Sequence, residues 1–249
     1  KNTQEVNDLA LAFNTMADSL EQSEQRRQEF IANVSHELKT PMTTIGGYVD
    51  GILDGTIPKD NEKHYLQIVS SEVRRLSRLV RSMLDLSRLQ AQGIDESRKT
   101  RFDLGDVMSD VLITFEQKIN ARGLQVSVDL PEKPVWTKAD RDAITQVVYN
   151  LLDNAIKFCP VGGNLGLILE QDGQKARLRI RNTGQTIPPE ELPLLFDRFH
   201  KADYSRSMDR EGVGLGLYIV KTILQQHKED ISVTSENGVT TFTFSLRVE

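Results

Sequence analysis

The segment FIANVSHELKTP, residues 30–41, places one histidine within an amphipathic helical pattern. His36 falls outside the apolar stripe, so its ring should be accessible, and Glu37 follows it directly. Thr40 comes one turn later on the same face, and Pro41, which has no N–H, should bend the helix. An exposed imidazole beside a carboxylate suits a phosphate-accepting nucleophile, because the acid can fix the ring tautomer or take its proton. By itself, the pattern fits a solvated histidine better. The stripe consists of Phe30, Ile31, Val34, Leu38 and Ile45.

The composition is that of a soluble globular chain. Of its 249 residues, 38% are hydrophobic and 27% are charged, and the net charge of -5 argues against a nucleic-acid binder. No apolar run is long enough for a membrane-spanning helix, and no signal peptide is visible. The single cysteine, Cys159, excludes an internal disulfide or a cysteine-based zinc site and fits a reducing cytosol. The chain begins at Lys1, inside a helical pattern, and we interpret it as a fragment of a longer protein.

The first third of the chain predicts two long helices. Apolar residues before residue 21 alternate steps of three and four, as in a coiled coil, and the polar stretch 21–28 should form an exposed join. A second heptad pattern follows the turn-rich stretch 54–60, with Asp60 as its N-cap. A hairpin of two such helices has too little core alone, so we expect two copies to pair as a four-helix bundle, making a homodimer. The first stripe consists of Val6, Leu9, Phe13, Met16 and Leu20.

From residue 102 the pattern changes to mixed helices and mainly antiparallel strands, which predicts a two-layer α/β sandwich. The polar stretch 91–101 is predicted to be a linker. Asn237-Gly238 should turn a final hairpin. The predicted helices are 104–120, 140–158 and 212–226, and the predicted strands are 124–130, 165–170, 176–181, 231–235 and 240–247.

Two segments could hold phosphate. Asn150, Asn154 and Lys157 lie at i, i+4 and i+7 of one helix, and two amides with an ammonium can hold Mg²⁺ and the phosphates that it bridges. The segment EGVGLGL, residues 211–217, opens a helix with three alternate glycines, whose N–H groups can bind phosphate. It has neither the strand and acid of a Rossmann fingerprint nor the Gly-Lys-Ser/Thr of a Walker A loop.

Taken together, these segments resemble the boxes of sensor histidine kinases, in the order in which that family has them. FIANVSHELKTPMTTIGGY resembles the phospho-acceptor box, QVVYNLLDNAIKF the N box, IRNTGQTIPPEEL the box that closes over adenine, and LLFDRFHKADYSRS the F box before the ATP lid. QEVNDLALAFNTMADSL resembles the last helix of a HAMP module. The resemblance implies a HAMP-like and signalling helix over 1–28, a dimerisation and phosphotransfer hairpin over 29–93, a linker over 94–101 and an ATP-binding domain over 102–249.

The resemblance implies an ATP-dependent protein-histidine kinase. His36 would attack the γ-phosphorus of Mg·ATP, Glu37 would orient or deprotonate it, and the phosphate would pass to an aspartate of a response regulator. Thr40 would serve a phosphatase activity. Asn154 would bind Mg²⁺ with support from Asn150, and the protein would be the cytoplasmic part of a homodimeric membrane sensor, anchored by a transmembrane segment outside this sequence. The implied nucleotide-binding residues are Asn150, Asn154, Lys157, Phe158, Asn182, Gly184, Ile187, Arg198, Phe199, Lys201, Arg206, Gly212, Gly214, Leu215, Gly216, Leu217 and Thr241.

Three positions depart from the family pattern. Asn182 stands where an aspartate usually accepts a hydrogen bond from the adenine amino group, and its amide oxygen can still accept that bond, without a charge. Thr186 replaces a glycine, and Lys228 lies in a turn that glycines normally make. These departures would also suit a degenerate kinase that only scaffolds. A third candidate, an ATPase of the chaperone or topoisomerase kind, is disfavoured because those enzymes have no phospho-acceptor helix.

Overall fold

The computed structural model describes residues 2–93, 96–201 and 212–249. The chain divides into two compact units, one through Ser77 and the other from Arg78 to Glu249. The first unit is a helical hairpin and the second is an α/β unit, so the predicted order of architectures is confirmed. No helix within the described ranges is apolar over enough residues to cross a bilayer.

The hairpin consists of α1 (Asn2–Leu53) and the first part of α2 (Lys59–Gln92). Helix α1 runs without a break through the polar stretch that we expected to be a join, and Pro41 lies buried inside it. Helix α2 begins one residue before Asp60, which therefore lies in the first turn rather than at the cap. Its negative charge in the first turn interacts favourably with the helix dipole.

A tight turn connects the two helices. Asp54 accepts a hydrogen bond from the backbone N–H of Thr56 at 2.8 Å, and Gly55 adopts a φ of +80°, which favours glycine. The N–H of Ile57 then donates to the carbonyl of Gly51 at 2.8 Å. The turn reverses the chain within a few residues, as the Asp-Gly and Pro signals predicted.

The second unit contains a five-stranded sheet with the order β2-β4-β5-β7-β6, in which β2 is parallel to β4 and the other pairs are antiparallel. A separate two-stranded sheet pairs β1 with β3. The strands are β1 (Lys99–Asp103), β2 (Gln125–Asp129), β3 (Trp136–Asp140), β4 (Asn164–Asp172), β5 (Lys175–Thr183), β6 (Ile231–Glu236) and β7 (Val239–Arg247). The helices are α3 (Leu104–Thr114), α4 (Glu116–Ala121), α5 (Arg141–Phe158) and α6 (Gly216–Gln226), with 3₁₀ turns at Glu96–Arg98 and Leu192–Phe196.

Helix α5 supplies much of the core of this unit. Asp140 caps it by accepting hydrogen bonds from the N–H groups of Asp142 and Ala143, both at 3.1 Å. One helix face is apolar and packs against α3, α6 and the sheet, and each such side chain stabilises the fold by roughly 1.5–3 kcal/mol relative to an exposed one. The fully buried residues of the apolar face of α5 include Val147, Val148, Leu151 and Leu152.

Three predicted boundaries were wrong in the second unit. Residues 99–101 of the expected linker form β1, which pairs with β3, a strand that sequence analysis also missed. The helix predicted over 104–120 breaks at Phe115, which is the C-cap of α3 and the N-cap of α4 and has a buried ring. The helix predicted to start at Gly212 starts at Gly216.

Lys228 occupies the left-handed turn that ends α6. Its φ is +60°, its N–H donates to the carbonyl of Gln225, and the N–H of Glu229 donates to that of Leu224, both at 2.9 Å. This is a Schellman motif, in which glycine is usual because it has no Cβ. The turn that glycines normally make is thus formed by a lysine whose side chain is exposed.

His227 joins this turn to the start of α5, and we predict that it makes stability depend on pH. Its Nδ1 donates to the carbonyl of Ile223 at 2.8 Å, so Nε2 is free of a proton and accepts from the N–H of Asp140 at 3.2 Å. Burial lowers the pKa of His227 below that of a free imidazole. The unfolded chain therefore binds this proton first, and the free energy of unfolding should fall as the pH drops below about 6.5.

Urea unfolding at pH 7.5 and pH 5.5 tests this dependence, with His227→Gln as the comparison. The glutamine can still accept from Asp140 but does not titrate, so the variant should lose less stability between the two pH values than the wild type. Equal losses in both proteins would show that the proton is taken up elsewhere.

Candidate functional site

His36 is exposed on α1, as its place outside the apolar stripe predicted. Four of the five stripe residues are half-buried in the single chain, and Ile31 is 51% exposed. Thr40 is also exposed, and its hydroxyl donates to the carbonyl oxygen of His36 at 3.2 Å. The imidazole can therefore be reached from solvent, with a hydroxyl one turn away.

Glu37 is held by an arginine that sequence analysis did not assign to the site. The Nη2 atom of Arg75 on α2 lies 2.8 Å from the Oε2 atom of Glu37, and both side chains are mostly buried, with 18% and 26% exposed. The Nη1 atom of Arg75 lies 3.7 Å from the Oε2 atom of Glu72. A charge-assisted bond of this length fixes the carboxylate. The acid beside the histidine is thus positioned by the second helix of the hairpin.

The second unit contains a cavity of about 470 Å³ between α5, the start of α6 and the ends of β5 and β7. Asn150, Asn154 and Lys157 line it, because the other face of α5 is buried in the core. The Nδ2 atom of Asn150 donates to the carbonyl of Gly216 at 3.3 Å, which leaves its amide oxygen available to a ligand. The helical spacing therefore brings the three predicted polar residues to one wall.

Asn182 and Thr240 form another part of the wall. They are direct partners on β5 and β7, and both lie on the buried face of the sheet. The Nδ2 atom of Asn182 donates to the carbonyl of Thr183 at 3.0 Å. Thr241, which the sequence predicts as a nucleotide-binding residue, does not line the cavity, because side chains alternate along β7 and Thr241 points to the other face.

The glycines allow the backbone to approach the cavity closely. Gly214 has a φ of +75° and accepts a hydrogen bond from the N–H of Phe199 at 2.8 Å. A Cβ on Gly214 would lie 2.8 Å from the carbonyl carbon of Phe199, and one on Gly184 would lie 2.8 Å from the carbonyl oxygen of Phe158. Only glycine fits these two positions without movement of the neighbouring backbone.

Thr186, the second departure from the family pattern, has a structural role beside the cavity. Its hydroxyl accepts a hydrogen bond from the N–H of Gly238 at 2.8 Å, in the turn between β6 and β7. The carbonyl of Gly238 in turn accepts from the N–H of Gly184 at 2.8 Å. The threonine therefore ties the two loops together where a glycine would contribute no side chain.

Asp153 is a further charged residue of the wall that sequence analysis missed. Lys157 lies 3.3 Å and Lys118 lies 3.0 Å from its carboxylate oxygens. Burial alone would raise the pKa of Asp153, but the two ammonium groups outweigh burial and hold the pKa below its ordinary value. The carboxylate thus stays ionised and keeps Lys157 at the cavity.

His200, also missed, adds a polar group from the stretch after β5. Its Nε2 atom lies 2.9 Å from the Oε2 atom of Glu191, and both side chains are about three-quarters buried. Lys201 follows it on the cavity wall. An Asp or His inside a helical or loop segment gives no sequence signal for such a position, because only the tertiary fold brings it to the cavity.

Most of the residues assigned from sequence are brought together here, and some are not. Arg198 donates to the Tyr218 hydroxyl at 2.6 Å and stacks on its ring instead of lining the cavity. Phe199 supports the wall through its backbone, and Leu215 is fully buried in the core, so neither side chain lines the cavity, and their part in nucleotide binding stays a prediction. Arg206 lies outside the described residues. The assigned residues that line the cavity are Asn150, Asn154, Lys157, Phe158, Asn182, Gly184, Ile187, Lys201, Gly212, Gly214, Gly216 and Leu217.

The wall fits a magnesium ion that is shared with a phosphate ligand. Asn150 and Asn154 offer amide oxygens to such an ion, whereas the carboxylate oxygens of Asp153 are engaged by Lys118 and Lys157. In the described part of the chain, no group of three or more His, Cys, Asp or Glu side chains could hold a metal. A cation here would take its remaining ligands from water and from the phosphates of a bound nucleotide.

The chain matches two family descriptions. Residues 26–92 match the His Kinase A (phospho-acceptor) domain, and residues 139–249 match the histidine kinase-, DNA gyrase B-, and HSP90-like ATPase. The chain is 37% identical over 225 residues to the sensor protein SrrB of Staphylococcus aureus strain MRSA252, an alignment that covers 90% of this chain and 38% of SrrB. It thus spans well under half the length of the curated relatives that it matches.

Solved structures of histidine kinases share the fold. The histidine kinase AdeS of Acinetobacter baumannii has a TM-score of 0.69 and 30% identity, over 86% of this chain and 98% of the AdeS chain. The histidine kinase ThkA, solved in complex with the response regulator protein TrrA, has a TM-score of 0.72 and 26% identity, over 89% of this chain and 61% of that one. With one family match on the hairpin that carries His36 and the other on the unit that carries the cavity, the chain belongs to the histidine kinase family.

Proposed function

We propose that this chain uses ATP bound in the cavity to phosphorylate His36 and then passes the phosphoryl group to an aspartate of a response regulator. The observation that carries the proposal is the cavity itself, which combines an amide-and-lysine wall on α5 with close backbone approach at Gly184 and Gly214. Such a wall suits a nucleoside triphosphate, because the phosphates of that ligand need cations, N–H donors and a metal. The ThkA complex with TrrA supports a response regulator as the partner.

Within the cavity, each group has a separate task. Asn182 and Thr240 would contact the purine, while Lys157 and Lys201 would offset the charge of the phosphates. Asn154 and Asn150 would hold Mg²⁺ through their amide oxygens. When bound, the ion neutralises charge on the phosphates and aligns them for transfer.

On the hairpin, the imidazole of His36 is the nucleophile. A nitrogen–phosphorus bond forms while the bond between the γ-phosphorus and the bridging oxygen breaks, and ADP leaves. Glu37 fixes the ring tautomer or accepts the displaced proton, and its bond to Arg75 determines where that carboxylate can reach. The phosphoryl group on His36 stays accessible to a regulator because the ring is exposed.

A nucleotide-binding measurement distinguishes this function from a scaffold. Titration calorimetry of the whole chain with a non-hydrolysable ATP analogue and Mg²⁺ should give a dissociation constant in the micromolar range, which corresponds to a binding free energy on the order of −8 kcal/mol. A scaffold would give no heat of binding at millimolar analogue. An ATPase of the chaperone or topoisomerase kind would also bind the analogue, but with γ-labelled ATP it would release free phosphate without labelling the protein.

We also propose that Thr40 positions a water against the acyl phosphate of the regulator. Replacing Thr40 with alanine should lower the rate of regulator dephosphorylation by at least about tenfold while His36 is still phosphorylated, since only the water-orienting hydroxyl is lost. Thr43→Ala is the matched control, because Thr43 is equally exposed and its hydroxyl also bonds to the carbonyl four residues earlier. Normal dephosphorylation by Thr40→Ala would exclude this role.

The functional unit is proposed to be a homodimer through the hairpin. Several large apolar side chains on one copy remain about half exposed, and two of them, Leu66 and Val73, lie one heptad apart on α2. A second hairpin would bury this surface in a four-helix bundle. Ile31 and Met42 on α1 are also exposed, and so is the more exposed stripe nearer the start of α1, which comprises Val6, Leu9, Phe13, Met16 and Leu20.

Charging this surface should break the dimer. The double variant Leu66→Glu, Val73→Glu is expected to sediment as a monomer at micromolar concentration, because carboxylates at the centre of the bundle cannot be paired. Gln67→Glu, at the adjacent exposed position, should remain dimeric. A double variant that sediments as the wild type does would exclude this surface as the interface.

The wider organisation follows as a proposal from these parts. We assign residues 1–28 to a HAMP-like and signalling helix, 29–93 to dimerisation and phosphotransfer, 94–101 to a linker and 102–249 to ATP binding, although β1 already begins at Lys99. We also propose that the chain works on the cytoplasmic side of a membrane-anchored sensor, and its identity to part of the much longer sensor protein SrrB supports a role within a larger sensor.

A further inference from the structure

We propose that the purine end of the cavity accepts 6-oxopurine nucleotides, such as those of inosine, as well as adenine nucleotides. The inference rests on the proposed function, because it requires a purine to lie against Asn182 and Thr240. Asn182 and Thr240 can each donate or accept a hydrogen bond. The wall can therefore pair with the hydrogen-bonding groups of an adenine or of a 6-oxopurine.

The amide of Asn182 presents both kinds of hydrogen-bonding group. The carbonyl of Thr183 can only accept, so the 3.0 Å bond to it fixes Nδ2 rather than Oδ1 on that side. That bond uses one of the two Nδ2 protons. The second proton and the Oδ1 atom have no partner among the described residues. The side chain is only 5% exposed and lines the cavity, and a buried amide of this kind requires partners, which a ligand would provide.

The neighbouring hydroxyl pair can also reverse its direction. The Oγ atoms of Ser235 and Thr240 lie 2.8 Å apart, both residues are buried, and either hydroxyl can be the donor. Ser235 accepts a further bond from the N–H of Ile187 at 2.8 Å, which leaves its own proton free to point toward Thr240 or away from it. Thr240 can accordingly offer the ligand either a proton or a lone pair.

The two purine classes differ at the edge that this wall would contact. Adenine presents an amino donor at position 6 and an acceptor at N1, whereas hypoxanthine presents an oxygen acceptor and an N–H donor. A carboxylate in place of Asn182 could only accept, so it would repel the 6-oxo group. Sites built for one pattern reject the other by about 10⁴-fold, because their buried polar groups stay unpaired. Here the groups can pair with either pattern.

The comparison of ADP with IDP tests this inference directly. The two diphosphates carry the same phosphates and neither can transfer a γ-phosphoryl group, so calorimetry of the whole chain with Mg²⁺ reports binding alone. The wild-type chain should bind IDP within about 30-fold of ADP, far from the roughly 10⁴-fold of a one-pattern site. Asn182→Asp should widen the ratio by at least tenfold. Gln174→Glu, which makes the same change of charge in the exposed β4–β5 turn, should not.

The outcomes distinguish a failure of this inference from a failure of the proposed function. If ADP binds and IDP binds more than 30-fold more weakly, the inference is wrong and the proposed function stands. The same conclusion follows if Asn182→Asp is folded by circular dichroism and leaves the ratio unchanged. If that variant does not fold, the wild-type ratio decides alone. If neither diphosphate binds, the nucleotide site itself is refuted, and the inference with it.

Discussion

Replacing His36 with glutamine is expected to remove autophosphorylation, with a loss of at least about 10³-fold that is set by the sensitivity of the assay. Glutamine keeps a polar side chain on the exposed helix face but has no nucleophilic nitrogen. Because His36 lies in the hairpin and the cavity in the other unit, the affinity for the ATP analogue should stay within about twofold. Radiolabel transferred from γ-labelled ATP measures the first quantity and calorimetry the second.

His64→Gln is the matched control for this variant. His64 is likewise exposed, but it lies on α2 with an aromatic neighbour, Tyr65, rather than beside an acid held by an arginine. This variant should label as the wild type does. Acid-labile label that persists on the His36 variant would show that another residue accepts the phosphoryl group.

The second large effect is expected for Gly214→Ala. A left-handed backbone conformation costs a non-glycine residue about 1–2 kcal/mol, and the new methyl group would also meet the backbone of Phe199 at 2.8 Å. The Phe199–Gly214 hydrogen bond must then shift, and with it the wall that the glycines form. We expect nucleotide affinity to fall by at least about tenfold and the thermal midpoint to drop by several degrees.

Gly216→Ala offers a comparison two residues along the same segment. The nearest atom to its Cβ would be Cγ of Asn150 at 4.0 Å, and its backbone is helical, so the methyl group meets no obstacle. Its thermal midpoint should match or exceed that of the wild type, because alanine favours the helix over glycine. Equal destabilisation by both variants would contradict the assigned role of the backbone at Gly214.

Local sequence patterns predicted those parts of the fold that depend on neighbours in the chain. The polar face of α5 followed from a spacing of three and four, and that helix holds Asn150 and Asn154 on one wall. The β6–β7 turn followed from Asn237-Gly238, whose consecutive positive φ values of 51° and 74° are those of a tight hairpin turn. The exposure of His36 followed from its place outside an apolar stripe.

Features set by distant parts of the chain could not be predicted in this way. Strands β1 and β3 are short and partly polar, and they are stable only because they pair with each other across more than thirty residues. The choice of Thr240 over Thr241 depends on the register of β7 with β5, which a period-two pattern of threonines leaves open. The bond from Arg75 to Glu37 requires the hairpin to be closed before the two side chains can meet.

The departures from the family pattern are accommodated by specific contacts. Thr186 bonds to the β6–β7 turn, Lys228 completes a Schellman motif, and Asn182 bonds to the carbonyl of Thr183 while still facing the cavity. None of the three side chains fills the cavity, which remains open at about 470 Å³. This favours a kinase with an altered purine contact over a degenerate scaffold.

Mapping the phosphoryl group on the tryptic peptide of residues 28–39, QEFIANVSHELK, tests the proposed reaction most directly, because this peptide contains one histidine and one hydroxyl residue, Ser35. After incubation with Mg·ATP, mass spectrometry should find one added phosphate on His36, lost in acid and retained in base. An acid-stable phosphate on Ser35, or an unmodified peptide from a chain that has bound ATP, would contradict phosphorylation of this imidazole.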